Sequence, residues 1–347
     1  MAIDATYSLG ANLSGVGVYS REVIRAIAAA HPGQRFLWCY RTQRYLRSWQ
    51  EPMPANCRRR LLFESRVPRC ALFHGLNQRL PEVGQGRSVV TFHDLFVLTG
   101  EYSSAEFRTR FSRQAREAAE RADRIICVSA FTATQVRDLL HVPESKLRVV
   151  WHGVHCPRSL FGDAGRRPVV LHVGAVQARK NIVRLVEAFE TMPSPWRLIL
   201  AGSAGYGAEA ILKRIESSPA RQRIELTGYV DDDRLAELYR TSRMLAFPSL
   251  DEGFGIPLLE AMAYGLPALT SNGSALREVA EGAAVLVDPR RTEEISAAMQ
   301  DLASDEGLRK RLVAAGLEKA KANSWGMAAE KTWAVYEELL GKSFAGR

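Results

Sequence analysis

The chain has 347 residues, 46% of them hydrophobic and 24% charged, with a formal net charge of +9. That length favours two domains over one. No apolar run is long enough to span a membrane, and no charged N-terminal segment leads into an apolar core, so a cytoplasmic chain, at most peripheral to the inner face of a membrane, is expected. Five scattered cysteines, never at C-x-x-C spacing, argue against a disulfide framework or a zinc site. The basic excess is uneven: residues 1–158 carry 23 Lys/Arg against 13 Asp/Glu, and residues 159–347 carry 24 against 25.

Ile3, Asp4 and Ala5 read as a short first strand. A glycine-bearing segment through Gly10, Gly15 and Gly17 follows, then a helix marked by Val23, Ile24 and Ile27. Ser14 stands where it can cap that helix, and Gly15 and Gly17 would let a ligand approach the backbone. An ordinary loop is the competing reading, since Ser20 replaces the third glycine of the dinucleotide pattern. After a strand at 36–39 comes an arginine-rich stretch to Arg69, interleaved with Tyr45, Trp49 and Phe63. Strand ends at 71–75 and 88–94 deliver His74 and His93. Helices at 103–122 and 129–140, the second capped by Ser129, bracket a strand at 124–128, and a strand at 147–150 closes this half. Such alternation implies a parallel sheet covered on both faces, with ligands at the carboxyl ends of its strands, where His74 and His93 would sit.

The segment 157–168, with its prolines and glycines, reads as a linker, and a second alternation starts at 169. Its first strand runs into Gly174-Ala175-Val176-Gln177-Ala178-Arg179-Lys180-Asn181, a glycine turn ending in two cations at a helix start. A diphosphate can be neutralised there, although a solvated Arg-Lys pair fits the same residues. Asp231-Asp232-Asp233 contains a D-x-D but directly precedes a helix, so it reads as a cap rather than a metal site. A buried strand at 244–247 then feeds Asp251-Glu252-Gly253-Phe254-Gly255-Ile256-Pro257-Leu258-Leu259-Glu260. The glycines permit a tight turn, Pro257 suits a first helical turn, and the helix should stop at Gly265. Glu252 precedes the helix start and Glu260 lies two turns further on. Free helix amides suit phosphate, and carboxylates suit sugar or ribose hydroxyls. Two solvated glutamates on a buried helix are the plainer alternative. Trp325, Ala329, Trp333, Tyr336 and Leu340 mark a final helix.

The run from Asp251 to Ala263 resembles the E-x7-E signature of retaining glycosyltransferases of family 4, the glycosyl transferases group 1. The segment 174–181 resembles that family's G-x-x-x-x-R-K-N, with Ala175 where many members have a further Arg. Leu226-Thr227-Gly228-Tyr229-Val230 and Trp151-His152-Gly153-Val154 agree in order, the latter departing from the commoner Pro-Asn-Gly-Val. The resemblance implies a GT-B fold of two Rossmann-like, doubly wound parallel-sheet domains facing a cleft. Residues 1–158 would form the acceptor side, joined by the C-terminal helix 325–347, and 159–324 the nucleotide-sugar side.

By the same resemblance, a hexose-type sugar, mannosyl or glucosyl-like, moves from a nucleotide diphosphate to a hydroxyl of a glycan or lipid-linked saccharide. Configuration is retained by front-face attack, with the leaving phosphate oxygen taking the acceptor's proton. Lys180 and Arg179 would hold the leaving diphosphate, Glu252 the transferred sugar and Glu260 the ribose. Gly15, Gly17, Gly174, Gly228, Val230, Phe254, Gly255 and Ile256 would line the donor. His93 would bind a sugar hydroxyl, against the plainer alternative of a strand-end histidine satisfied by backbone. No metal or cofactor is expected. A GT-B epimerase or phosphorylase, and a non-catalytic sugar- or anion-binding protein, are the rival classes.

The basic first half points to an anionic acceptor or an anionic membrane surface, with Arg41, Arg44 and Arg47 on a basic helix and Arg58, Arg59, Arg60, Arg66 and Arg69 extending the cluster. Nucleic acid is not expected as a partner, because no recognised binding motif accompanies the arginines.

Overall fold

The computed structural model describes residues 1–63, 67–82, 86–157, 159, 162 and 165–341, so Arg66 lies outside the described residues. The chain forms two compact units, one of Met1–Thr99, Ser104–Gly153 and Asn323–Arg347, the other of Gly100–Ser103 and Val154–Ala322.

The first unit is built on parallel strands β1 (Ala2–Asp4), β2 (Phe36–Tyr40), β3 (Cys57–Leu61), β4 (Leu72–Gly75), β5 (Arg87–Phe92), β6 (Arg124–Cys127) and β7 (Leu147–Val149), in the order β3-β2-β1-β4-β5-β6-β7. Helices α1 (Gly15–Ala30), α2 (Thr42–Ser48), α3 (Phe96–Thr99), α4 (Ala105–Arg121) and α5 (Ala130–Leu140) connect them. Successive strand residues face opposite ways. Ile3, Leu72, Val89 and Ile126 therefore pack with Ile24 and Ile27 of α1. Their neighbours Ala2, Phe73, Val90 and Ile125 pack with Ala115 and Ala118 of α4 and Val136 of α5. Serine hydroxyls start two of these helices: Ser104 accepts from Phe107 N and Ser129 from Thr132 N. Each such cap contributes about 1 kcal/mol. Ser14 occupies the N-cap position of α1, but its side chain makes no capping hydrogen bond.

The arginine-rich stretch holds an element that its charge hides. β3 is an edge strand with Cys57 buried and Arg58 and Arg60 exposed, and charged side chains on an edge discourage pairing with another chain. The expected basic helix forms as α2, yet much of the surrounding charge is spent inside the unit. Arg41 pairs with Asp4 at 3.1 Å, and Arg44 Nη1 donates to Leu9 O at 2.9 Å. Arg59 Nε donates to Ser48 O at 3.0 Å, with its guanidinium 4.9 Å from the Trp49 ring centroid. Arg47, Arg58, Arg60 and Arg69 are the exposed ones.

The second unit is built on parallel strands β8 (Arg167–Val173), β9 (Arg197–Ala201), β10 (Ile224–Gly228), β11 (Ser242–Phe247), β12 (Ala268–Ser271) and β13 (Val285–Val287), in the order β10-β9-β8-β11-β12-β13. Its helices are α6 (Ile182–Phe189), α7 (Ala208–Glu216), α8 (Asp232–Thr241), α9 (Ile256–Ala263), α10 (Ser274–Ala280), α11 (Thr292–Ser304) and α12 (Glu306–Ala322). Val170, Leu198, Leu200, Met244 and Ala246 of the sheet pack with Leu185 and Phe189 of α6, Ile211 of α7 and Met299 of α11.

The stretch expected to be a linker contributes a buried structural residue. Arg166, 4% exposed, donates through Nη1 to Tyr239 O, Arg240 O and Ser242 O, and through Nη2 to Tyr264 O and Gly265 O. A buried guanidinium is tolerated because carbonyls at two helix ends, which lack intrahelical donors, satisfy it.

The last helix, α13 (Trp325–Leu340), belongs to the first unit, where Trp325, Ala329, Trp333 and Tyr336 join the core beside α1. Glu338 pairs with Arg148 at 2.7 Å and Arg124 at 3.2 Å. No helix among the described residues is long and apolar enough to cross a membrane.

Candidate active site

In the second unit the strand order runs outward from β8 through β9 to β10 on one side, and from β11 through β12 to β13 on the other. The loops leaving β8 and β11 therefore meet at the switch point, where open α/β sheets hold ligands. Both glycine motifs are these loops. Asn181, held at φ 59°, donates through Nδ2 to Pro248 O at 3.0 Å and Pro289 O at 2.6 Å. Leu250 N donates to Arg179 O at 2.8 Å, and Ser271 Oγ to Ser249 O at 2.5 Å. The bonds to Pro248 O and Arg179 O join the two loops, and those involving Pro289 and Ser271 tie them to the β12–β13 side.

On this frame Glu252 receives both cations. Lys180 Nζ lies 2.5 Å from Glu252 Oε1, and Arg179 Nη1 lies 3.0 Å from Oε2, with all three residues 8% exposed. Arg179 also donates to Asp251 O at 2.5 Å. Burial by itself would raise the Glu252 carboxyl, but the charges of Arg179 and Lys180 outweigh it and hold the group down at about 2. The Lys180 ammonium also sits 4.7 Å from the Phe247 ring centroid. Gly174, at φ 145°, makes room for it, because a Cβ there would come within 3.2 Å of Lys180 Cε. Beside them His172 Nδ1 donates to Ala246 O at 2.9 Å, and burial lowers this imidazole to about 4, so it is neutral.

Gly255 opens α9 at φ 97°, and a Cβ would stand 2.5 Å from Leu276 Cδ2, so no other residue fits without rearrangement. Phe254 is buried, Ile256 is half-buried, and Pro257 lies in the first turn. Glu260, also half-buried, accepts from the Tyr239 hydroxyl at 2.8 Å. Burial pushes its carboxyl up to about 7, with the Tyr239 hydrogen bond opposing the rise and Asp232 adding to it. Gly228, at φ 68°, ends β10 with open space where a side chain would be, and Val230 follows, half-buried. Asp231 Oδ1 accepts from Arg234 N at 2.8 Å, so it caps α8.

The remaining expected residues lie in the first unit. Gly15 is exposed at the start of α1, whereas Gly17 is buried. A Cβ on Gly17 would come within 2.9 Å of Leu13 Cδ2 and 3.1 Å of Tyr7 O, so its own loop uses that space. His93 follows β5, with Nε2 donating to Leu76 O at 2.8 Å. Tyr19 of α1 meets its ring edge-on at 4.8 Å, and His152 stacks on it at 5.5 Å. Burial lowers His93 to about 4, which leaves it neutral.

His74 is not at a ligand-facing position. It is fully buried, with Nδ1 2.6 Å from Tyr336 Oη and Nε2 2.8 Å from Thr91 Oγ1. Both ring nitrogens are occupied by the fold. Tyr239 gave no functional signal in sequence, and Asn181 gave one only as the last residue of the 174–181 segment. The left-handed backbone of Asn181 is a conformation Asn tolerates well, but nothing local links Tyr239 to Glu260.

Family models match both halves: "Glycosyltransferase Family 4" over residues 13–158 and "Glycosyl transferases group 1" over residues 161–319. The chain is 31% identical over 287 residues to O-antigen chain mannosyltransferase B of Escherichia coli, covering 77% of this chain and 74% of that protein. Among solved structures, sucrose-phosphate synthase from Thermosynechococcus elongatus superposes with a TM-score of 0.80 at 21% identity, over 98% of each chain. Anabaena Alr3699/HepE, crystallised with UDP and glucose, gives 0.73 at 16% identity over 97% of this chain and 98% of that one. Both structures share the fold described above.

Proposed function

Because the chain belongs to glycosyltransferase family 4, the glycosyl transferases of group 1, and has the GT-B fold, we propose that it is a retaining enzyme using a nucleotide-diphosphate hexose. The sugar is mannosyl or glucosyl, with mannosyl favoured by the likeness to an O-antigen mannosyltransferase. The acceptor is a hydroxyl of a glycan or lipid-linked saccharide.

The observation that carries this reading is the buried cluster of Arg179, Lys180 and Glu252 beside the start of α9. As the glycosyl–oxygen bond breaks, negative charge grows on the departing phosphate. Fixed cations and the amides of Gly255 and Ile256 at a helix start stabilise that charge without reorganising. This work is assigned to side chains and amides rather than to a divalent metal. Glu252 is ionised at any physiological pH and so can accept from hydroxyls of the transferred sugar. Glu260 takes the ribose. His93, neutral and with Nε2 engaged by Leu76, has Nδ1 as an acceptor for a sugar hydroxyl and is not a strong base. The acceptor's proton goes to the leaving phosphate oxygen on the same face, which retains configuration.

The acceptor side is read as meeting an anionic surface, and the protein as cytoplasmic and peripheral to the inner membrane face. Leu46 and Trp49, 71% and 62% exposed, lie in the stretch that also exposes Arg47, Arg58 and Arg60.

A thermal-shift screen with GDP, UDP, ADP and dTDP identifies the nucleotide, because a ligand that binds the native state raises the unfolding midpoint. The matching nucleotide sugars are then followed for slow hydrolysis and for transfer, with product anomeric configuration read by NMR. Release of the nucleoside diphosphate with retention is expected. Inverted product, epimerised sugar, or binding without turnover would overturn the assignment.

A further inference from the structure

We propose that Tyr239 is a positioning residue for the donor: its hydroxyl holds one carboxylate oxygen of Glu260 and so presents the other to the ribose hydroxyls. The inference rests on the reading of Glu260 as the ribose acceptor. Tyr239 Oη donates to Glu260 Oε2 at 2.8 Å, and no other hydrogen bond to this carboxylate is made among the described residues. A carboxylate bound at one oxygen keeps a fixed plane, which a pair of vicinal hydroxyls requires.

Tyr239 is itself fixed from two directions. Its ring, 1% exposed, stacks on Tyr264 with centroids 5.5 Å apart. Its carbonyl accepts from Arg166 Nη1 at 2.9 Å, while Arg166 Nη2 donates to Tyr264 O at 2.7 Å and Gly265 O at 2.9 Å. One buried guanidinium therefore ties the end of α8 to the end of α9. The hydroxyl on one helix and the carboxylate on the other have little freedom to part.

The ionisable groups around Glu260 are Tyr239 and Asp232 of α8, His155 of the segment before β8, and Tyr264 at the end of α9. Of these, the Tyr239 hydrogen bond and the charge of His155 favour the ionised carboxylate, and Asp232 disfavours it. Removing the hydroxyl should raise the pH at which Glu260 ionises.

The test is Tyr239→Phe, which keeps the ring and its stacking. Calorimetry measures the Kd of whichever of GDP, UDP, ADP or dTDP binds, from about pH 5 to 9. Wild type, Tyr239→Phe and Glu260→Gln are compared at each pH, so ionisation of the nucleotide's own phosphate cancels. Wild-type affinity should rise with pH through the Glu260 transition. Tyr239→Phe should move that midpoint upward by about half a unit or more, weaken binding about three- to tenfold near neutrality, and keep part of that loss at the alkaline end, where the carboxylate is ionised but no longer held by the hydroxyl. An unmoved midpoint, or full recovery of wild-type affinity at the alkaline end, would leave Tyr239 without a positioning role and overturn the proposal. A Glu260→Gln protein with wild-type affinity and profile would instead remove the ribose reading itself.

Discussion

Lys180 and Glu252 are 72 positions apart in sequence, yet the ammonium and the carboxylate meet at 2.5 Å in a buried site. The pairing neutralises a cation that the proposed reaction needs, and stores it next to the start of α9. If it is the partner of the departing diphosphate, Lys180→Ala should lower turnover about 10²–10³-fold, as loss of other oxyanion partners does. Arg179→Ala should cost less, because Lys180 remains. Both rates are to be measured in excess EDTA, where wild-type activity should persist. Activity abolished by EDTA and restored by Mn²⁺ would return the diphosphate to a metal.

Glu252→Ala leaves two buried cations without their carboxylate. The nucleotide-free variant should be destabilised by about 3–5 kcal/mol, the usual consequence of breaking one side of a buried pair. It should still bind the nucleoside diphosphate, which resupplies negative charge, and regain much of the lost thermal midpoint on doing so, while turnover falls. The wild-type carboxyl is depressed from an ordinary 4.5 to about 2. Its contribution is therefore complete above about 4.5 and lost as pH falls towards 2. Differential scanning fluorimetry over acid pH checks both statements.

Glu260 has the opposite sign. Its folded carboxyl lies at about 7, above the ordinary 4.5. Its contribution to stability is present below about 4.5 and is lost as pH rises through 7. If Glu260 takes the ribose as proposed, binding needs the ionised form, so nucleotide affinity should climb over the interval in which nucleotide-free stability declines. Glu260→Ala should weaken nucleotide binding far more than Glu252→Ala does. Equal losses in the two variants, measured by calorimetry, would end the division of labour between them.

His93→Ala should reduce turnover with nucleotide affinity nearly unchanged. Because burial holds the wild-type imidazole at about 4, His93 should add no limb near pH 6–7 to the wild-type rate profile. A parallel fall in nucleotide affinity would place His93 in the phosphate site or the fold instead.

Association with an anionic surface is tested by liposome sedimentation. Binding should require anionic lipid, weaken with salt, and drop when Arg47, Arg58 and Arg60 become Gln, since each basic residue near such a surface contributes about 1 kcal/mol. Arg59→Gln is the contrasting variant. Its guanidinium bonds Ser48 O and lies over Trp49, so its loss should lower the thermal midpoint. Salt-independent binding, or none at low ionic strength, would favour a soluble acceptor.

The sequence by itself determined what depends on near neighbours. Alternating apolar runs and helical periodicities specify two parallel sheets. Ser129 and Asp231 cap their helices, Pro257 and the flanking glycines shape the α9 turn, and the aromatic stripe from Trp325 to Tyr336 marks the last helix. These are properties of a few residues read at a fixed period. Tertiary structure decided whatever joins distant positions. It locked His74 to Tyr336, 262 residues away, and gave Arg166 carbonyls from two helix ends. It turned Arg41, Arg44 and Arg59 inward and made an edge strand of the arginines beside Cys57. It brought Lys180 to Glu252 and Tyr239 to Glu260. Which loops meet is set by strand order at the switch between β8 and β11, and strand order leaves no local mark on the residues it brings together.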